Sequence, residues 1–168
     1  TAFFDKTPKF LHYGARTLLL TSVEFDHADI YRDLDHVKEA FRTLVSQLPE
    51  SGTLVAATAH EGVRDVVEKA PCEVVPYRAG PAEGPGVAAE PLAIEPEGIR
   101  FRLLLDGREA TKAFLPMHGR HNLENAAGAL AVVTRLGVPL AEAVAALPDF
   151  RGVKRRQKIE STRAGKLA

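Results

Sequence analysis

Arg16-Thr17-Leu18-Leu19-Leu20-Thr21-Ser22-Val23-Glu24-Phe25-Asp26-His27-Ala28-Asp29 is the stretch on which the fold turns. Its first six residues form a continuous apolar run rather than an alternating one, as in a parallel strand covered on both faces. Charge then replaces hydrocarbon abruptly, which places Glu24, Asp26, His27 and Asp29 just beyond the carboxyl end of that strand. In open α/β sheets ligands bind at this edge. Moving outward, Asp33 or Asp35 caps a helix from about Leu34 to Leu48, with Leu34, Val37, Phe41, Leu44, Val45 and Leu48 on its inner face. Pro49-Glu50-Ser51-Gly52 stops it, and Thr53 to Ala57 reads as the next strand. Gly62 to Ala70 is a shorter helix and Glu73 to Tyr77 a third strand. This β-α-β-α-β alternation predicts an α/β fold, a mostly parallel sheet flanked by helices. Upstream, Lys9 to Tyr13 reads as a short edge element.

Beyond Tyr77 the pattern changes. Arg78 to Pro91 holds three Gly and three Pro, the composition of a loop or linker. Ile99 to Leu105 and Ala110 to Leu115 flank Asp106-Gly107-Arg108-Glu109, a signal for an added antiparallel hairpin. Gly119-Arg120-His121-Asn122-Leu123-Glu124-Asn125 then leads into the buried-helix pattern Ala126 to Leu136, which ends at Gly137. Pro139 to Leu147 forms another helix, and Phe150 to Val153 a linker before Lys154-Arg155-Arg156.

The 168 residues suit one domain, or one domain with a piece of another. With 22 basic and 22 acidic residues the formal net charge is zero, so no overall field draws the chain to nucleic acid or a membrane surface. No apolar segment reaches the roughly 18 residues needed to span a bilayer. The lone cysteine, Cys72, excludes an internal disulfide, fits a reducing compartment, and reads as a small core residue beside a strand.

Two places carry chemistry. Glu24, Asp26, His27 and Asp29 could hold a divalent cation such as Mg²⁺, or form an ordinary solvated loop with capping acids. On a helix Asn122 and Asn125 share one face, and an amide offers the donors and acceptor needed to read a purine edge. A helix start also leaves free N–H groups for a polar or anionic ligand. The alternative is that Asn122 simply caps the helix. Lys154-Arg155-Arg156 suits phosphate contacts or a solvated face. His12, His36, His60 and His118 show no partner pattern and read as structural or exposed.

Thr1-Ala2-Phe3-Phe4-Asp5-Lys6, Glu24-Phe25-Asp26-His27-Ala28-Asp29-Ile30, Gly119-Arg120-His121-Asn122 with Asn125, and Phe150-Arg151-Gly152-Val153-Lys154-Arg155-Arg156 occur in that order. Together they resemble the Mur ligase family, the ATP-dependent amide-bond formers of peptidoglycan synthesis. The likeness is strongest to its murein peptide ligase branch, the recycling ligases that join UDP-N-acetylmuramate to a murein tripeptide. The resemblance implies a cytoplasmic enzyme using ATP and Mg²⁺. Residues 1–153 would be most of the central ATP-binding domain, without its phosphate-loop part, and 154–168 the start of the C-terminal ligase domain. By the same likeness His27 is a Mg²⁺ ligand, His121, Asn122 and Asn125 line the adenine pocket, and Arg156 is the catalytic arginine near the phosphates. Ser22 departs from the family's usual Asn. The implied chemistry transfers the γ-phosphoryl to the muramoyl carboxylate, and the peptide amine then attacks the acyl phosphate.

No Gly-x-x-Gly-Lys-Ser/Thr loop occurs in these residues, so the chain reads as a fragment that does not ligate on its own. Three alternatives compete: another Mur-type or folylpolyglutamate-type ligase, a metal-dependent hydrolase built on Asp26, His27 and Asp29, and a non-catalytic nucleotide-binding module.

Overall fold

The apolar run becomes Thr17–Leu20 (β1), the first strand of a six-stranded sheet with the order β1-β2-β3-β4-β5-β6. The structure is a computed structural model, and it describes residues 8–26, 30–150 and 152. Thr53–Ala56 (β2) lies parallel to β1 and to Glu73–Ala79 (β3), with Leu18, Leu54 and Val74 in register across the three. β2 is apolar on both faces because both faces are covered. Leu54 and Ala56 point into one core with Leu20, Val37, Val45 and Val63, while Val55 and Ala57 point into another with Tyr77, Leu123 and Ala127.

The first core lies under Leu34–Ser46 (α1) and Glu61–Val67 (α2). Asp33, not Asp35, caps α1, its carboxylate accepting from the His36 backbone N–H at 2.8 Å. Val37, Leu44, Val45 and Leu48 are buried as the spacing predicts, and Phe41 stacks on Phe10 at 5.1 Å. Leu34 differs: it lies on the same face but stays exposed, at the first helical position where the stripe begins. Lys38 Nζ donates to Asp65 at 2.7 Å, joining α1 to α2; the pairing holds the Asp65 carboxyl below its ordinary value and raises the Lys38 ammonium. Cys72 packs half-buried against this core, and burial pushes its thiol up.

The segment read as a loop, Arg78 to Pro91, contains most of two strand ends. β3 continues to Ala79, and Val87–Glu95 (β4) begins after a turn confined to residues 80–86. The short run Val87-Ala88-Ala89 pairs parallel to Tyr77-Arg78-Ala79 and is buried; the flanking Gly and Pro masked it. Pro91 is tolerated because pairing to β3 stops at Ala89 and the β4–β5 ladder bulges between Pro91 and Ala93.

The hairpin is Gly98–Leu105 (β5) and Arg108–Leu115 (β6), closed by Asp106 and Gly107 alone. Both have positive φ, 49° and 78°, as a two-residue turn matched to strand twist requires. Arg108 and Glu109, expected in the turn, belong to β6. The hairpin extends the parallel sheet through β4 rather than standing beside it. Lys9–His12, expected as an edge element, is a short 3-10 helix.

Arg120–Arg135 (α3) and Leu140–Ala145 (α4) cover the second core, followed by a 3-10 turn at Leu147–Asp149. No helix among the described residues is long and apolar enough to cross a membrane.

Candidate functional site

The carboxyl edge of β1 to β3 is built from three chain exits and one chain entry. After β1, Val23 is buried, and its carbonyl lies where a Cβ on Gly62 would come within 2.8 Å. Only glycine lets the β1 exit pack so closely on the start of α2. Glu24 and Asp26 therefore leave the sheet near α2, and both are exposed. After β2, the Arg64 guanidinium donates to the carbonyls of Thr58 at 2.9 Å and Ala59 at 3.0 Å, fixing the turn that carries His60. After β3, the Ala79 carbonyl accepts from the Arg120 guanidinium at 3.2 Å.

The entry is α3, which starts at this edge and runs back across the sheet. Its N-cap is Gly119, not Asn122. Gly119 has φ 94°, a backbone conformation that favours glycine. Asn122 is the third helical residue; its amide nitrogen donates backward to the His118 carbonyl at 2.7 Å and secures the helix entry. His121 and Asn125 are exposed, and Asn122 is half-buried. Three of the expected site residues are thus brought within five positions of one another at the start of α3.

Glu124 completes the turn. Its carboxylate lies 2.9 Å from His60 Nε2, bridging the start of α2 on one face of the sheet to the start of α3 on the other. The Glu124 side chain is 15% exposed. One turn further, Gly128 sits on the Tyr77 ring, where a Cβ would come within 2.8 Å. The Tyr77 hydroxyl is buried and has no hydrogen-bond partner among the described residues. Burial, with the nearby Glu124 charge adding to it, pushes this phenol up to about 12.

His60, which shows no partner pattern in the sequence and reads as structural or exposed, is about half exposed and pairs with Glu124 across 64 positions. Neither residue shows a short-range signal, since a lone His before a helix and a Glu within one are common. Among the described residues no group of three His, Cys, Asp or Glu side chains could hold a metal ion. His27, Asp29 and Arg156 lie outside the described residues, as does the expected segment 154–168.

The sequence profile described as the Mur ligase middle domain matches residues 15–133. This chain belongs to the Mur ligase family.

Within the family it is 35% identical over 164 residues to the UDP-N-acetylmuramate–L-alanine ligase of Streptomyces coelicolor, covering 96% of this chain and 35% of that protein. It is 30% identical to the UDP-N-acetylmuramate–L-alanyl-gamma-D-glutamyl-meso-2,6-diaminoheptandioate ligase of Escherichia coli K12, over 98% of this chain and 35% of the relative. A crystal structure of the corresponding diaminopimelate ligase from Neisseria meningitides superposes with a TM-score of 0.79 at 35% identity, over 92% of this chain and 46% of that one. The chain therefore spans about a third of the length of these curated Mur ligases. Its six-stranded mixed sheet with flanking helices is the fold of the family's middle domain.

Proposed function

We propose that this chain is the central nucleotide-binding part of an ATP-dependent, Mg²⁺-using ligase of peptidoglycan recycling. In this assignment residues 1–153 belong to the ATP-binding domain, and 154–168 begin the C-terminal ligase domain that carries Arg156. The enzyme joins UDP-N-acetylmuramate to a murein tripeptide through an acyl phosphate, in the cytoplasm. The observation that carries the assignment is the first turn of α3 at the sheet's carboxyl edge, with His121, Asn122 and Asn125 on it. The exposed amide of Asn125 suits adenine, whose edge offers a donor and an acceptor side by side. In the same assignment His27 is a Mg²⁺ ligand, in the sequence that follows the exposed Glu24 and Asp26 at this edge. ATP supplies the γ-phosphoryl group, and the chain's own residues hold its base and keep the reacting end at the sheet edge.

A second acceptor, L-alanine alone, is favoured by the 35% identity to the Streptomyces coelicolor enzyme. Incubating the full-length protein with ATP, Mg²⁺, UDP-N-acetylmuramate and either L-alanine or the tripeptide separates the two. ADP release that requires the tripeptide supports the recycling ligase. Release with L-alanine moves the assignment to the biosynthetic one. Nucleotide-independent hydrolysis, or ATP binding without ligation, would end the ligase assignment. In the same assay His27→Ala should raise the Mg²⁺ requirement by on the order of 10–100-fold. Superimposable Mg²⁺ curves, scaled only by the amount of folded protein, remove His27 from the metal site.

A further inference from the structure

β4 pairs with β3 only from Val87 to Ala89, and its second half runs on past Ala79, the end of β3. On this overhang β4 still pairs with β5, with Ile94 opposite Ile99. Pro91, Leu92, Ala93 and Ile94 are all exposed there, Leu92 at 49% and Ile94 at 79%. One exposed leucine needs no explanation, but consecutive exposed apolar residues on a strand edge are a liability that folded proteins cover. Two contacts locate the cover. The β4–β5 turn packs on the chain that leaves β6: His118 Nε2 lies 3.1 Å from the Pro96 carbonyl, and Gly98 leaves no room for a Cβ against the Leu115 carbonyl. Within this stretch is Met117, whose Cε would lie 3.7 Å from a Cβ on Gly152. Gly152 ends the described part of the chain, so residues 153–168 are tethered beside the overhang.

We propose that the overhanging β4–β5 tip is a docking surface whose occupant is the chain's own segment 153–168. Val153, Ile159 and Leu167 give that segment apolar side chains to cover Leu92 and Ile94. It is also basic, with Lys154, Arg155, Arg156, Lys158, Arg163 and Lys166 against the single acid Glu160. The tip turn supplies the opposite sign in Glu95 and Glu97, the second of them exposed. Reach is ample. Ile94 is one strand from Ile99 and two from Leu115, about 10 Å at the usual strand spacing, while seven extended residues from Gly152 to Ile159 span about 23 Å. A tethered segment meets its surface at high effective concentration, so a few apolar and charged contacts suffice to hold it. Docking there fixes whatever follows residue 153 to the carboxyl edge of the sheet, the side on which the candidate site lies. It goes beyond the nucleotide assignment and does not depend on it.

The test is amide hydrogen exchange of the full-length protein, read at residues 153–168 and, as a control, along α3. Wild type should show protection in 153–168. Ile94→Asp should speed exchange there roughly tenfold or more, the effect of losing one buried isoleucine on a local opening equilibrium. Ile94→Leu should leave it as in wild type. Glu97→Lys should act in the same direction as Ile94→Asp by a few fold, roughly, and lose its effect at high salt. Exchange in α3 should stay unchanged throughout, because Ile94 contributes little to the core while 79% exposed. An unprotected 153–168 in wild type overturns the inference, as does a wild-type exchange rate there in Ile94→Asp. If α3 speeds up as much as 153–168, Ile94 supports the fold itself and the docking is likewise overturned. Loss of a wild-type dimer in Ile94→Asp, with exchange in 153–168 unmoved, gives the tip to a second copy and removes the named occupant.

Discussion

At its first turn α3 presents Glu124, paired to His60 at 2.9 Å, and the exposed Asn125; at its last turn it presents Arg135, whose guanidinium meets both Glu73 oxygens at 2.8 and 2.9 Å. Both ends tie the helix to the sheet with charged side chains, yet they are built differently. The Arg135–Glu73 pair is about half exposed on each side, and one guanidinium nitrogen, Nη1, donates to both carboxylate oxygens. At the first turn a carboxylate is mostly buried with one oxygen in use, an exposed amide stands beside it, and a phenol hydroxyl beneath has no partner. Saturated polar groups hold a structure together, and unsaturated ones in a sheltered place are free to meet something else. The two ends of one helix are therefore predicted to separate stability from binding.

The largest effect should come from breaking the point between the ends. A Cβ on Gly128 would lie 2.8 and 2.9 Å from the Tyr77 ring and 3.1 Å from Leu19 Cδ1. Gly128→Val adds branched bulk where neither a buried ring nor a strand can yield, and overpacking of this kind typically costs about 1–3 kcal/mol. Thermal unfolding should show a lower midpoint, and nucleotide binding should weaken with it, because α3 must lift at its first turn. An unchanged midpoint would mean that α3 is not seated on β3 as described. Next, Asn125→Ala should weaken ATP about tenfold, or about 1.4 kcal/mol, while leaving the midpoint in place, since an exposed amide contributes little to folding. A fall in midpoint with intact ATP affinity would make Asn125 structural and erase the contrast. Arg135→Ala should do the reverse: a stability loss of about 0.2–1 kcal/mol, screened by salt, with no change in nucleotide affinity.

These contrasts were only partly legible in the sequence. The parallel half was plain because continuous apolar runs and a capped amphipathic helix have periods that no loop imitates: Leu54-Val55-Ala56 and the Val37/Leu44/Val45 stripe are buried where the pattern puts them, whereas on β1, an end strand of the sheet, Leu20 is buried but Leu19 is exposed rather than covered as expected. β4 was hidden because three small buried residues between Gly86 and Pro91 look like loop, and only pairing to β3 and β5 makes them a strand. The location of the site at the carboxyl edge followed from the switch of Leu20-Thr21 to Glu24 and Asp26. Its inner chemistry did not. Asn122 looked like a cap and is instead the third residue of a helix capped by Gly119, a position set by backbone at φ 94°. The His60–Glu124 pair joins loops on opposite layers, and no local period links residues 64 apart. Tyr77 reads as an ordinary strand aromatic until Gly128 is seen above it.

The smallest effect at neutral pH belongs to Tyr77→Phe, and it sharpens the comparison most finely. A buried hydroxyl without a partner gives up its hydration on folding and receives nothing in return. Removing it should leave stability nearly unchanged or raise it by a few tenths of a kcal/mol or more, the opposite of what losing an engaged hydroxyl does. Alkali exposes the same group. The phenol lies near 10 when hydrated and at about 12 in the fold, because burial and the Glu124 charge both oppose the phenolate. Below pH 10 both states hold the proton, and the wild type carries no pH-dependent penalty from this residue. As pH rises from 10 to 12 the unfolded chain releases the proton first, so wild-type stability falls relative to Tyr77→Phe, which has no proton to lose. Urea unfolding of the two proteins at pH 8 and pH 11 should therefore show a gap that widens in favour of Phe at the higher pH. A gap that stays constant would mean the hydroxyl is hydrated, and the first turn of α3 would then be as saturated as the last.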